Sequence, residues 1–339
     1  MNASDASVRP ARHRGLRRWR VPLVVLTLLA ALVLTGPRND FGPLEPASRA
    51  QPPTQAAQID GWLQAAEAAV PGIRPGNAKG VVWASAPGQR TPWAVVYLHG
   101  FSASRLETAP LAEIVGRGLG ANVFYTRLTG HGLPATAMAQ ARPQDWLADG
   151  LEALRIGRAL GERVLVISCS TGSTIATWLA TSEHAADVAA HVFVSPNFGP
   201  RDKRSEIING PWGRQIAIAI EGGQHGQPAS DPREAAAWTS PYPTQAIFPM
   251  MDLVRQVRER DLSKFATPLL VHYSERDETV DVARIKAAFA RIGSQRKELS
   301  PVGYSQSPGQ HVLVGDIRDP AAVGPMAEGI VRWVRGLPS

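Results

Sequence analysis

Val164-Leu165-Val166-Ile167-Ser168-Cys169-Ser170-Thr171-Gly172 runs without interruption into Ser173-Thr174-Ile175-Ala176-Thr177-Trp178-Leu179. The apolar residues read as a buried strand, and the small residues that end it read as a sharp turn into a helix. Such a turn needs small neighbours, because its backbone is strained and crowded. The pattern small-x-Ser-x-Gly puts the hydroxyl of Ser170 at its tip. A helix starting directly behind that hydroxyl aims backbone N–H groups at any oxyanion formed there. Position 168 holds Ser where the usual pattern has Gly, which adds a Cβ at a crowded spot. Taken alone, the segment reads equally well as an ordinary strand-to-helix turn.

On either side, apolar runs alternate with helical patterns. Strands are expected at 81–85, 93–98, 121–127, 163–168, 191–195, 268–273 and 297–302. Helices are expected at 59–70, 110–119, 144–160, 282–292 and 323–334. Near-continuous apolar strands alternating with helices predict an α/β fold, a mostly parallel sheet with helices on both faces. Residues 198–265, rich in Pro, Trp, Gly and charge, are too long for a simple crossover and read as a cap or lid over a site.

A serine hydroxyl is a poor nucleophile until a base takes its proton and a carboxylate orients that base. In a parallel sheet these partners are expected in loops at the carboxyl ends of later strands. After 268–273 comes Ser274-Glu275-Arg276-Asp277-Glu278-Thr279-Val280-Asp281. Asp277, with an apolar anchor at Val280, is the candidate acid; Glu275 and Glu278 read as solvated, and Asp281 as a helix cap. After 297–302 comes Gly303-Tyr304-Ser305-Gln306-Ser307-Pro308-Gly309-Gln310-His311, which makes His311 the candidate base. The oxyanion site needs two donors: the N–H of Thr171, and that of Phe101 in the loop His99-Gly100-Phe101-Ser102 after 93–98.

These residues resemble the α/β-hydrolase superfamily, specifically its bacterial carboxylesterase and monoacylglycerol-lipase-like branch. The resemblance rests on His99-Gly100-Phe101, Gly130-His131-Gly132, the turn at Ser170, Asp277 before Thr279-Val280, and His311-Val312, and covers about residues 80–336. It implies the order Ser170, Asp277, His311 for the triad, a helical cap at 198–265, and structural roles for His99 and His131 near the site.

The net charge of +7 is concentrated at one end: residues 1–20 hold six arginines against Asp5. The basicity is therefore a tail, and no nucleic-acid groove is expected. That tail precedes the apolar run Val21–Leu34, so residues 1–35 read as a basic region and signal anchor, with a cleaved signal peptide as the alternative. At ~1.5 Å rise per residue the run reaches only ~22 Å against a ~30 Å bilayer core, with flanking Arg and Trp19 snorkelling to make up the difference. The expected location is the inner membrane, reached through residues 21–35, with the catalytic part outside the cytoplasm; the alternative is secreted or periplasmic. Residues 36–58, rich in Pro, Ala and Gln, read as a spacer, followed by one domain over 59–336. The single cysteine, Cys169, excludes an internal disulfide and reads as a packing residue.

The expected function is hydrolysis of a small-molecule or lipid ester with a hydrophobic acyl group, with no cofactor or metal required. An acyltransferase or aminopeptidase using the same triad, and a non-catalytic envelope binding protein, are the alternatives.

Overall fold

The computed structural model describes residues 15–338. In chain order the elements are α1 (Gly15–Leu34), α2 (Ile59–Ala68), β1 (Gly80–Val82), β2 (Thr91–Leu98), α3 (Leu111–Leu119), β3 (Asn122–Tyr125), α4 (Pro143–Leu160), β4 (Gly161–Cys169), α5 (Thr171–Ala180) and β5 (Ala190–Val194). There follow α6 (Gly213–Glu221), β6 (Gln224–His225), α7 (Pro232–Ala237), β7 (Tyr242–Pro243) and α8 (Ile247–Glu259). The chain closes with β8 (Leu269–Tyr273), α9 (Val282–Arg291), β9 (Lys297–Pro301) and α10 (Val323–Arg335).

Seven strands form one sheet in the order β1-β3-β2-β4-β5-β8-β9, with β1 antiparallel and every other pair parallel. Their side chains alternate between two cores. Ala94, Val96 and Leu98 of β2 join α4, α5 and α8 on one face, whereas Val95 and Tyr97 join α3 and α10 on the other. Burial on both faces explains why these strands read as continuous apolar runs and not as alternating ones. The chain passes from β2 to β3 on one side and then returns to β4 on the other. This reversal opens a crevice at the carboxyl ends of β2 and β4, where ligands of such sheets bind.

The insertion between β5 and β8 carries α6, α7, α8 and the two-stranded ribbon β6–β7. Its own small core of Ile208, Ala217, Ile247, Phe248 and Met251 includes Phe41 from the far side of the chain. Residues 36–58, read from composition as a spacer, lie as an extended strap against the domain. Asn39 is buried and bonds Phe248 O at 2.8 Å, the Gln144 side chain donates to Phe41 O at 2.8 Å, and Arg49 pairs with buried Asp149.

The basic residues before Gly15 lie outside the described residues. Ten large apolar side chains of α1, from Val21 to Leu34, are exposed. Among the described residues no helix is long and apolar enough to cross a membrane; α1 also includes Arg17, Arg18 and Arg20. The expectation of a spanning segment at 21–35 is therefore not supported.

Candidate active site

Ser170 stands between β4 and α5 with φ 49° and ψ −118°, a conformation that L-residues rarely adopt. The reason lies in its neighbours. A Cβ added to Gly172 would lie 2.2 Å from Leu98 O and 2.7 Å from His99 O, so only glycine lets the start of α5 seat on the end of β2. The Ser170 amide donates to Val194 O at 3.0 Å and its carbonyl accepts from the Asn197 amide at 3.1 Å, which fixes the turn from the β5 side. The extra Cβ of Ser168 is accommodated: its hydroxyl lies 2.9 Å from that of Ser173, both fully buried.

Asp277 and His311 converge on this turn. His311 Nε2 is 2.9 Å from Ser170 Oγ, and His311 Nδ1 is 2.8 Å from Asp277 Oδ2. The second carboxylate oxygen, Oδ1, accepts from the amides of Thr279 and Val280 at 2.8 and 2.9 Å. Buried Val280 anchors that loop. Asp281 caps α9 by accepting from the Ala283 amide at 2.9 Å, and Glu275 pairs with Lys286.

Gln310, which the sequence reading did not single out, and a backbone bond from Glu278 join the loops of the acid and the base. Gln310, at φ 52°, accepts from the Ser274 hydroxyl at 3.0 Å and donates to Ser305 O and Ser307 O. The Glu278 amide donates to Gly309 O at 2.9 Å. With its Nδ1–H directed to Asp277, His311 presents Nε2 to Ser170 as an acceptor, the tautomer that general-base chemistry requires.

The loop after β2 is held almost atom by atom. The Gly100 amide donates to Glu107 Oε1 at 2.7 Å, and the Gly100 carbonyl lies 2.9 Å from His99 Nδ1. The Ser102 amide donates to His131 Nε2 at 3.0 Å, and the Ser102 carbonyl accepts from the Thr239 amide at 2.7 Å. His99 Nε2 in turn accepts from the Leu128 amide at 3.0 Å. Among the described residues the amides of Phe101 and Thr171 donate to no protein acceptor. Both residues line the same cavity as Ser170. Two vacant donors beside a hydroxyl are the arrangement that stabilises an oxyanion.

Burial holds the imidazoles of His99 and His131 down to about 3 and about 4, so both are neutral and serve as acceptors at neutral pH. Burial also pushes the Glu107 carboxyl up to about 7, against the donors from Gly100 and Tyr97. Glu107 had no local signal in the sequence.

The cavity measures about 450 Å³; Ser170, Thr171 and His311 lie at its floor, and Ile208, Ala217 and Met251 of the insertion at its roof. Among the described residues no cluster of side chains suited to a metal ion occurs. Cys169 is buried and its thiol is pushed well up by burial and by Glu107, so it is not a competing nucleophile.

The sequence profile of the Alpha/beta hydrolase family matches residues 95–323. No curated protein matches the chain. Among solved structures, one of the metagenome-derived lipolytic enzymes LipS and LipT is similar over 78% of this chain and 100% of its own, at 21% identity and TM-score 0.63. A soluble variant of monoglyceride lipase from Saccharomyces cerevisiae, in complex with a substrate analog, is similar over 76% and 90%, at 13% identity and TM-score 0.57. The monoacylglycerol lipase of Paleococcus ferrophilus is similar over 76% and 97%, at 12% identity and TM-score 0.53. At these identities the likeness is one of fold.

Proposed function

The chain belongs to the α/β-hydrolase family, and from that premise we propose that it is a serine hydrolase cleaving carboxylic esters of hydrophobic acyl groups through an acyl-enzyme on Ser170. The observation that carries this reading is the continuous hydrogen-bond chain Ser170–His311–Asp277 at the floor of a cavity with two vacant amides.

In this reading His311 takes the Ser170 proton as Oγ attacks the ester carbonyl. The Phe101 and Thr171 amides receive the negative oxygen, each contributing roughly 3–4 kcal/mol of transition-state stabilisation. His311 then returns the proton to the leaving alcohol, and Asp277 stabilises the imidazolium in between. Water enters, gives a proton to His311 as its oxygen bonds the acyl carbon, and His311 passes that proton to Ser170 Oγ as the acyl–Oγ bond breaks and the acid leaves. The apolar roof of Ile208, Ala217 and Met251 suits a hydrocarbon acyl chain. Two of the similar structures are of monoglyceride or monoacylglycerol lipases, which agrees with that substrate class.

Export and attachment to a membrane surface through residues 21–35 belong to the same proposal, motivated by the exposed apolar side chains of α1.

The test is labelling by a fluorophosphonate probe. The intact protein is expected to label, and the Ser170→Ala and His311→Ala proteins are not. Undiminished labelling of Ser170→Ala, or none of the intact protein, would overturn the reading.

A further inference from the structure

Glu107 is buried directly behind the nucleophile, and the chemistry described above makes no use of it. A Cβ built on Gly100 would lie 3.1 Å from Glu107 Oε2 and 3.2 Å from Ser170 Cβ, so the carboxyl and the nucleophile both pack against the face of this glycine where a side chain would stand. Glu107 Oε1 accepts from the Gly100 amide at 2.7 Å and from the Tyr97 hydroxyl at 2.9 Å. The backbone that carries Glu107 is itself fixed. Gly315, at φ +125°, approaches so closely that a Cβ there would lie 2.8 Å from Glu107 O, and the Asp316 amide donates to Ala109 O at 2.8 Å.

Gly100 has no side chain to restrict its backbone, so its two polar groups must be held from outside. His99 Nδ1 holds the carbonyl, which fixes the peptide plane that also contains the Phe101 N–H. Glu107 holds the amide on the other side of Gly100. Rotation about the glycine is thereby stopped at both ends.

We propose that Glu107 is a positioning residue for the oxyanion site: by accepting from the Gly100 amide it keeps the next amide, that of Phe101, aimed at the oxygen that becomes negative. This rests on the reading of Ser170 as the acylated nucleophile. The required property is an acceptor at the reach of a glutamate side chain, not its charge.

The test compares Glu107→Leu, Glu107→Asp and Glu107→Gln for kcat and KM on a soluble ester, and for affinity towards a trifluoromethyl ketone, which adds to Ser170 as a tetrahedral oxyanion. Glu107→Leu is expected to lose on the order of 10²–10³ in kcat, the effect of one oxyanion donor, with KM changed only a few-fold. Ketone affinity should fall in parallel. Glu107→Asp keeps the charge but withdraws the acceptor, and should fall with Leu; Glu107→Gln keeps the acceptor and should recover most of the lost kcat. If Glu107→Leu does not fold, the Gln and Asp variants still separate reach from charge. Wild-type kcat in Glu107→Asp, or Gln as impaired as Asp, overturns the proposal. Equal ketone affinity of the intact and Ser170→Ala proteins would instead overturn the nucleophile reading, and this proposal with it.

Discussion

The backbone carbonyl of Ser102 accepts a hydrogen bond from the Thr239 amide at 2.7 Å, so the loop that carries the Phe101 amide is tied to the cap as well as to the sheet. Thr239 is itself held in place by Arg74, which donates to Ala235 O, Trp238 O and Thr239 Oγ1 at 2.6, 3.2 and 3.0 Å. Arg74→Ala should therefore lower kcat by roughly 10-fold although the side chain contacts no reacting atom, a loss of about 1.4 kcal/mol. Steady-state kinetics on a soluble ester check this; an unchanged kcat would mean that the cap does not steady the loop.

Removing any member of the hydrogen-bonded chain should cost activity far more than stability. Ser170→Ala and Asp277→Asn are each expected to lose about 10⁴-fold or more in kcat, the scale of such changes in triad hydrolases. Melting temperatures within a few degrees of the parent protein would separate this loss from unfolding.

Gly172→Ala should damage both fold and site. Its Cβ would meet two backbone carbonyls of β2 and the following loop, neither the end of a flexible side chain. Overpacking of this kind costs about 1–3 kcal/mol, and here the strain pulls Ser170 away from Phe101. Urea unfolding should report the loss, together with a fall in fluorophosphonate labelling rate.

Acid should loosen the fold well before the carboxylates of the surface are neutralised. His99 and His131 act as acceptors only when neutral, and burial holds them down to about 3 and about 4; His191 and His272 are likewise held down to about 3 and about 4. In the unfolded chain these groups take up protons near pH 6.5. Between about pH 6.5 and 4 the unfolded state binds more protons, so stability is present above that window and is lost as the pH falls through it. Glu107, raised to about 7, opposes this between its ordinary value of 4.5 and about 7, but it is one group against four. Unfolding free energies from urea titrations at pH 7.5 and 5 should differ by a few kcal/mol. His131→Gln, which keeps an acceptor for the Ser102 amide, should reduce that difference.

The roof should select the acyl chain. Ala217 is buried on α6 and lines the cavity. Ala217→Trp fills that space and should lower kcat/KM for long-chain esters at least 10-fold relative to acetate, the scale on which a few methylenes discriminate. Equal losses for both would place the acyl chain elsewhere.

Much of this arrangement is legible in the chain because it is local. The strand at Val164–Ile167 and the small residues after it announce the turn at Ser170 directly; Asp277 stands out in a loop after the apolar strand Leu269–Tyr273, and His311 in a Gly/Pro/Ser-rich loop after the last strand. Burial on both faces is what made the central strands β4 and β8 readable. Glu107 escaped because its importance is wholly tertiary: in Arg105-Leu106-Glu107-Thr108 it looks like any surface acid, and only the close approach of Gly100 gives it work to do. The strap over residues 36–58 escaped for a related reason. It has no hydrophobic period, and it docks through single side chains such as Asn39 and Arg49 whose partners lie 80 or more residues away. The crowding expected at Ser168 was relieved by a partner hydroxyl five positions on, a contact that spacing alone does not reveal.

The strap also changes what α1 is attached to. Trp212 in the cap donates its indole N–H to Leu32 O at 3.1 Å and its amide to Pro37 O at 2.8 Å, and a Cβ on Gly36 would collide with its ring. There is thus no slack between the end of the helix and the roof of the cavity. Whatever grips the helix grips the roof first, so a pull at that end is delivered to the door of the site and only afterwards to its walls.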